Sequence, residues 1–306
     1  MKSVRVIARL DIKGPNLVKG IQFDGYRVLG TAEEFADLYY REGADELIYQ
    51  DVVASLYRRN SLLEIIRRTA KKIFIPLTVA RGIRSPENIR EILRAGADKV
   101  AINTAATENP NLISEAAKVF GSQCIVSSIE AFRKKNGRYE VWVDYGRQTT
   151  NLDAIEWAKQ VERLGAGEIL LTSINYDGMG KGYDLELIKI ISSSVSIPVI
   201  ACGGAGKKED FSQVVKEGGA DAVAAASVFH YNYTTPKDKP FMSYSEARLR
   251  MGEHIDSGNI DFLNHGYGRM RAIMVEPASI KKVKLSMIEN GIVVRTPDYC
   301  HEVKNA

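Results

Sequence analysis

Two carboxylates stand at matching places in the sequence, each at the end of an apolar run typical of a buried strand. Asp11 ends the run that begins at Val4, and Glu130 ends the run that begins at Cys124. If both runs belong to one parallel sheet, the two side chains face each other across one mouth and form an acid–base pair. A loop-capping role is the alternative for Asp11 alone, and the matching position of Glu130 weakens it.

Three other charged residues fall close to predicted strand ends. Asp51 ends the second strand, Lys19 lies in the loop after the first, and Asp177 follows the sixth. All three are placed to orient a substrate. For Lys19 and Asp51, the alternative is a position on the rim of the fold.

Glycines and small polar residues follow other strands, and such turns are typical of phosphate sites. Their backbone N–H groups, and those of helix N-termini, cradle phosphate oxygens. The candidate phosphate-binding residues are Gly82, Asn103 and Thr104 in the first half of the chain and Gly178, Gly203, Gly204 and Ser227 in the second. Two sets on opposite sides of one mouth predict an elongated substrate with two phosphate groups.

An alternation of strands and helices is needed to position these residues. The predicted strands are 4–11, 46–51, 75–79, 99–102, 124–130, 168–172, 197–201 and 222–226. Helices between them begin at recognisable caps, such as Thr31 with Glu34 three residues later and Ser85 before Pro86. Eight such units predict an α/β fold, a single (β/α)8 TIM barrel. An open doubly wound sheet is the alternative, but the loop after the first strand lacks its glycine-rich fingerprint.

The chain also repeats itself with a period of half the barrel. Gly-Ala-Asp or Gly-Ala-Gly stands between a helix and a strand at 43–45, 96–98, 165–167 and 219–221, and the spacing pairs the first with the third and the second with the fourth. Each turn alone is common, because glycine suits the left-handed end of a helix. The paired spacing predicts a two-fold half-barrel repeat. We expect a barrel core over 1–230, an insertion on the catalytic face over 231–276, and a closing helix and tail over 277–306.

Composition excludes several classes of function. The 306 residues carry a formal charge of +4, and no Lys/Arg block favours nucleic acid over a small anionic substrate. No apolar run is long enough to cross a bilayer, and Arg5 and Arg9 interrupt the first one, so neither a membrane span nor a signal peptide is predicted. The three cysteines form no CxxC motif and the four histidines all fall late. We expect no metal, no cofactor and a cytoplasmic location.

Several long motifs point to one family. They lie at 11–13, 18–20, 98–106, 120–123, 165–173, 177–178 and 203–206. Together they resemble the cyclase subunit of imidazole glycerol phosphate synthase, from the start of the chain to about residue 230 and again in the tail at 280–295. The resemblance implies an enzyme that takes ammonia from a class I glutaminase partner and joins it to a bisphosphorylated ribulosyl aminoimidazole. The products would be imidazole glycerol phosphate and an aminoimidazole carboxamide ribotide, with Asp11 as one acid–base residue.

Charged residues of alternating sign open four of the strands. They are Arg5, Glu46, Lys99 and Glu168. The resemblance implies a ring that guards the entrance for ammonia, with the glutaminase docked at the amino-terminal face. Ammonia that enters there stays dry and unprotonated, and is therefore a nucleophile. A solvated charged rim is the alternative.

Three departures from the family pattern lie on the catalytic face. Glu130 stands where the family has an aspartate, Ala80 and Arg81 replace two glycines before Gly82, and the segment 231–276 is extra. The longer Glu130 side chain moves its carboxyl by more than about 1 Å, and misplacement on that scale can cost about 100-fold in rate. The segment 134–138 carries Asn-Gly and predicts a hairpin tip.

Three interpretations follow from this mixture. The departures favour a paralogue with the same ammonia chemistry and an altered acceptor, similar to subunits that amidate surface-polysaccharide sugars. The retained Asp11, Lys19 and Asp51 also suit a genuine histidine-pathway cyclase. A non-catalytic scaffold that activates a glutaminase is the third, and the retained site residues argue against it.

Overall fold

The computed structural model describes residues 2–22, 24–52, 59–80, 82–234 and 274–296. The strands are β1 (Arg5–Lys13), β2 (Asn16–Ile21), β3 (Asp24–Thr31), β4 (Glu46–Asp51), β5 (Leu77–Ala80), β6 (Lys99–Ile102), β7 (Ile125–Arg133), β8 (Tyr139–Val143), β9 (Gln148–Asp153), β10 (Glu168–Ser173), β11 (Val199–Cys202) and β12 (Ala222–Ala225). The helices are α1 (Ala32–Arg41), α2 (Arg59–Ala70), α3 (Pro86–Arg94), α4 (Thr104–Glu108), α5 (Asn111–Phe120), α6 (Ala154–Arg163), α7 (Leu185–Ser192), α8 (Glu209–Gly218), α9 (Ser227–Thr234) and α10 (Ile280–Glu289).

Eight of the strands close into a parallel barrel. In order they are β1, β4, β5, β6, β7, β10, β11 and β12, and β12 pairs with β1 to complete the circle. Helices connect successive strands, so the predicted single (β/α)8 barrel is confirmed. The carboxyl ends of all eight strands therefore meet at one mouth, where such barrels carry their functional residues.

Side chains alternate between two cores along each barrel strand, because successive residues of a strand point to opposite faces. In β1, Val6, Ala8 and Leu10 belong to the layer between barrel and helices, whereas Ile7 belongs to the barrel interior. By the same alternation Arg5, Arg9 and Asp11 project into the interior. The sequence of β1 thus places three charged side chains along the barrel axis.

Two antiparallel hairpins extend the barrel at equivalent places in its two halves. β2 and β3 follow β1, and β8 and β9 follow β7, its half-barrel mate. The predicted hairpin tip is confirmed, with Gly137 at φ 83° in the turn between β7 and β8. The first hairpin was not predicted, because its strands are interrupted by glycines such as Gly20 and Gly25, and it gains its order by pairing with β1.

The predicted helix caps are confirmed. The Thr31 hydroxyl accepts a hydrogen bond from the Glu34 amide at 3.4 Å and donates to the Glu34 carboxylate at 2.6 Å. The Ser85 hydroxyl likewise accepts from the Asn88 amide at 3.4 Å, with Pro86 in the first turn. These caps stop each loop at the mouth of the barrel and start the helix that returns the chain.

The predicted insertion, 231–276, overlaps described residues at both of its ends. Residues 231–234 belong to α9, and Tyr231 is buried in the core. Val275 is also buried, and the Glu276 amide donates to the Gly206 carbonyl at 2.6 Å. Most of the predicted insertion, 235–273, lies outside the described residues, as do Arg81 and the tail beyond 296. Within the described ranges, no helix is long and apolar enough to span a bilayer.

Candidate active site

A compact group of four charged side chains fills the barrel mouth beneath the end of β1. Its members, which we call the mouth cluster, are Arg9, Asp11, Lys19 and Asp177, and all four are buried. Arg9 Nη2 donates to Asp11 Oδ2 at 3.2 Å and lies 3.1 Å from Asp177 Oδ1. Lys19 Nζ is 3.7 Å from Asp11 and 3.5 Å from Asp177. Two cations thus face two carboxylates, and the cluster is neutral.

The electrostatics of the mouth cluster favour the ionised form of Asp177. Burial raises the pKa of Asp177, but the charges of Arg9 and Lys19 outweigh burial and hold it below its usual value. Burial lowers the pKa of Arg9, but Asp11 and Asp177 outweigh it and the result is well above the ordinary range. An opposite charge at this distance is the ordinary cause of such shifts.

Arg9 is a site residue that the sequence reasoning missed. In the sequence, Arg9 was noted only because it interrupts an apolar run. It shares the inward-facing, odd-numbered positions of β1 with Arg5 and Asp11. The strand alternation was the available signal, since a charge on the inner face of a barrel strand must find partners inside.

A narrow cleft opens above the mouth cluster, between the ends of β11 and β12. Its walls contain residues predicted to bind phosphate or to orient the substrate, together with Arg9. They are Lys19, Asp177, Gly178, Gly203, Gly204 and Ser227. The second-half phosphate set and two substrate-orienting residues are therefore brought together in one place.

Glycine is required in this cleft by close backbone contacts. Gly204 has φ 109°, and a Cβ atom there would overlap the carbonyl oxygen of Gly182. Gly178 has φ 73°, and a Cβ atom would approach the Gly20 carbonyl oxygen to 2.9 Å. The bare backbone at these turns leaves N–H groups accessible to an anion.

Glu130 ends up buried on β7, opposite Asp11 in the order of barrel strands. Its Oε2 accepts a hydrogen bond from the Gly146 amide at 3.1 Å. Gly146 belongs to the loop between β8 and β9, where Asp144 (φ 47°) and Tyr145 (φ 65°) both adopt the left-handed region. Two adjacent non-glycine residues in that region are strained, and such strain concentrates at functional sites.

The same loop reaches two other predicted residues. The Asp144 amide donates to the Thr104 hydroxyl at 3.3 Å, and the Tyr145 hydroxyl donates to the Asp51 carbonyl oxygen. Asn103 lies beside Thr104 at the end of β6, and its amide donates to the Trp142 carbonyl at 3.3 Å. Thr104 and Asp51 thus contact this loop, and Asn103 contacts the strand that leads into it. No signal in the sequence marked Tyr145 and Gly146 as its centre.

The first-half phosphate set is less compact than the second. Gly82 follows β5 with φ 71°, a conformation that favours glycine. It does not line the cleft between β11 and β12, and neither do Asn103 and Thr104. Any second phosphate would therefore lie on the far side of the mouth, as the half-barrel repeat predicts.

The four charged residues at the other end of the barrel form a closed ring, which we call the entrance ring. Lys99 Nζ contacts Glu46 at 2.9 Å and Glu168 at 3.1 Å. Arg5 contacts Glu46 at 2.6 Å and also pairs with Glu168. Each cation therefore bridges both carboxylates, which a solvated rim would not require. Burial lowers the pKa of Arg5, but Glu168 and Glu46 outweigh it and raise it above its ordinary value.

An apolar layer separates the entrance ring from the mouth cluster. It consists of Ile7, Ile48, Ala80, Ala101, Val126, Leu170, Ile200, Cys202, Ala222 and Ala224. A small neutral molecule meets no charged group in this layer, whereas an ion would lose its hydration there.

Histidine and cysteine contribute no metal centre in the described part of the chain. No group of three or more His, Cys, Asp or Glu side chains there is placed to hold a metal ion. His230 is fully buried, and its Nδ1 lies 2.5 Å from the Tyr39 hydroxyl. Burial holds the pKa of His230 well below its usual value, so this imidazole is neutral.

Comparison with known proteins agrees with this geometry. The family model for histidine biosynthesis proteins matches residues 5–235. The imidazole glycerol phosphate synthase subunit HisF of Legionella pneumophila is 62% identical over 211 residues, which cover 69% of this chain and all of that protein. The HisF subunit of Methanopyrus kandleri is 48% identical over 265 residues, or 80% of this chain and 97% of that protein. The chain therefore belongs to the histidine biosynthesis protein family, among the HisF cyclase subunits of imidazole glycerol phosphate synthase.

Proposed function

We propose that this chain is the ammonia-using cyclase subunit of a histidine-pathway imidazole glycerol phosphate synthase. The observation that carries the proposal is the placement of Asp11 and Glu130 on half-barrel mates, both buried, in a barrel whose mouth also holds a glycine-lined cleft. An elongated bisphosphate would anchor one phosphate in that cleft and the other near Asn103 and Thr104. Its reacting centre would then lie between the two carboxylates.

The two carboxylates take different roles in this proposal. Asp11 lies between Arg9 and Lys19, and we assign it one of the two proton transfers. Glu130 is fixed by the Gly146 amide and carries the second proton transfer from the opposite side. Lys19 and Asp177 orient the substrate at the cleft, and Asp51 does so from the end of β4.

The entrance ring supports a partner that delivers ammonia. The relatives of this chain are named as subunits of the synthase. We propose that a glutaminase subunit docks at the amino-terminal face of this barrel. Ammonia would pass the ring and the apolar layer, and would reach the mouth unprotonated. The expected cytoplasmic location remains a prediction.

The comparisons favour the histidine-pathway function over the altered acceptor that the departures suggested. Relatives that align over nearly their whole length carry the name of the histidine-pathway subunit. The altered acceptor remains a second candidate because of two observations at the mouth. Glu130 is longer than the family's aspartate, and the buried Arg9 adds a cation to the mouth.

Complementation and turnover together test the proposal. The gene should restore growth without histidine to a strain that lacks the cyclase. The purified protein, supplied with ammonium salts at alkaline pH, should convert the bisphosphate at about 1 per second or faster, within the usual enzymatic range. Failure of both, with a folded protein, would refute the histidine-pathway function and favour the altered acceptor.

A further inference from the structure

We propose that Arg9 is a positioning residue for the reaction, which holds Asp11 and Asp177 as oriented carboxylates beneath the phosphate cleft. The identity of the reaction rests on the proposed function. The role of Arg9 can also be tested without that function, from the orientation of the Asp11 carboxylate.

The guanidinium of Arg9 engages Asp11 with two of its nitrogens. Nη2 donates to Oδ2 at 3.2 Å, and Nε lies 3.1 Å from Oδ1. Nη2 is also 3.1 Å from Asp177, and Nη1 donates to Cys202 Sγ at 3.3 Å. Of the two contacts with Asp11, only the one from Nη2 is a hydrogen bond, and the Nε contact is an ion pair without hydrogen-bond geometry. The planar guanidinium still presents its donors in fixed directions, which an ammonium group does not. Arg9 thereby links the end of β1 to the loop after β10 and to the end of β11.

Charge balance explains why this position needs a cation. Besides Arg9, the groups that face it are Asp11 on its own strand, Lys19, Asp177, Cys202 and His230. Burial raises the pKa of the Cys202 thiol and lowers that of His230, so both are neutral. Without Arg9, two buried carboxylates would share Lys19 alone, and an uncompensated buried charge is strongly unfavourable.

The position of Arg9 also connects binding to chemistry. Its side chain lines the cleft that holds Gly203, Gly204 and Ser227, and it contacts the carboxylate that we assign to proton transfer. Displacement of that carboxylate by about 1 Å is expected to cost about 100-fold in rate.

The chain offers a matched control for a merely structural ion pair. Lys284 on α10 is fully buried, and its Nζ lies 2.7 Å from Asp45, which belongs to neither the mouth cluster nor the entrance ring. Breaking that pair removes a buried cation from a carboxylate, as at Arg9, but far from the mouth.

The kinetic test compares Arg9→Met, Arg9→Lys and Lys284→Met in ammonium-driven turnover of the bisphosphate between pH 5.5 and 9. Arg9→Met should lower kcat by about 100-fold. It should also move the acid limb of the profile to higher pH, because Asp177 loses one of the two cations that hold its pKa below the usual value. Arg9→Lys should restore the limb and part of kcat. Lys284→Met should lower Tm and leave the limb in place.

A double-mutant comparison separates positioning from general damage. If Arg9 acts through Asp11, Arg9→Met should have little further effect on kcat in an Asp11→Asn background. An equal loss in both backgrounds, with an unmoved acid limb, would overturn the proposal.

A structural test covers the remaining outcomes. If Arg9→Met does not fold, Arg9→Met/Asp177→Asn removes one cation and one anion together and should show the same shift of the acid limb. A crystal structure of whichever variant folds should show the Asp11 carboxylate turned out of its present plane. If the Asp11 carboxylate has not moved, the role of Arg9 is overturned, whether or not wild type converts the bisphosphate. If wild type does not convert the bisphosphate, only the proposed function is refuted.

Discussion

The two ends of the barrel carry nearly the same charges in different surroundings. Both the mouth cluster and the entrance ring contain one arginine, one lysine and two carboxylates. In the ring, the side chains of Arg5 and Lys99 are 30% and 18% exposed. In the cluster, those of Arg9 and Lys19 are 1% and 3% exposed. The difference lies in solvent access, because the ring's cations touch water and the cluster's do not.

Solvent access decides what each group can do. Partly exposed cations can exchange a carboxylate for water at a lower cost than buried ones, so the ring can open more easily than the cluster. Buried ions cannot, since separating them leaves charges without hydration. The entrance ring therefore suits a gate, and the mouth cluster suits fixed chemistry. Four predictions test this contrast, from the largest expected effect to the smallest.

Asp11→Asn should reduce turnover by about 1000-fold or more, because the amide has nearly the same shape but cannot accept a proton. Steady-state turnover with ammonium salts measures the loss, and a melting curve should show that the fold persists. Asp37→Asn is the control, because Asp37 pairs with Arg41 on the outer surface of α1. Unchanged turnover in Asp11→Asn would remove Asp11 from the mechanism.

If the proposed function holds, Glu130→Asp should raise turnover of the histidine-pathway bisphosphate by up to about 100-fold, because the aspartate returns the carboxyl by roughly 1 Å to the family's position. The shorter side chain would withdraw from the Gly146 amide, which now lies 3.1 Å from Glu130 Oε2. Single-turnover assays of both proteins would measure the change, with Glu156→Asp on the surface of α6 as the control. A fall in turnover would mean instead that the longer side chain, held by the Gly146 amide, is matched to a different acceptor.

Lys99→Met should uncouple the two ends of the barrel. With one cation gone, the ring opens on one side, because Lys99 is bonded to both Glu46 and Glu168. Glutamine-driven turnover with the glutaminase should fall by about tenfold, or about 1.4 kcal/mol of barrier, while ammonium-driven turnover should hardly change. Arg68→Met, which breaks an exposed pair with Glu33, is the control. An equal loss in both assays would argue against a gate.

Acid should destabilise the mouth end through His230. Burial, then Lys19 and Arg9, hold the pKa of His230 well below its value in the unfolded chain, about 6.5. The neutral imidazole therefore stabilises the fold above pH 6.5, and this contribution is lost as the pH falls below it, by up to about 1.4 kcal/mol per pH unit.

Urea unfolding at pH 7.5 and 5.0 measures this loss. His230→Asn should reduce the difference in the free energy of unfolding between the two pH values. Tyr39→Phe removes only the hydrogen bond to Nδ1 and should leave that difference unchanged. The same slope in wild type and His230→Asn would contradict the prediction.

The sequence alone determined most of the fold for a physical reason. Apolar runs with alternating periodicity, helix caps such as Thr31 and Ser85, and glycine turns are local signals, and local signals do not depend on distant residues. The strands 46–51 and 99–102 were predicted with the bounds that the structure has. The barrel fold also placed Asp11, Glu130 and the second-half phosphate set at one mouth, because strand order fixes which ends meet.

Tertiary structure decided what each charge does. Whether Arg5, Glu46, Lys99 and Glu168 form a rim or a ring depends on distances between strands up to 163 residues apart. Arg9 acquired its role only when barrel closure brought Cys202, 193 residues away, and Asp177 to its guanidinium. Pairing and burial depend on the whole closed barrel, since the energy of a charge is set by neighbours and solvent access that no local stretch of sequence contains.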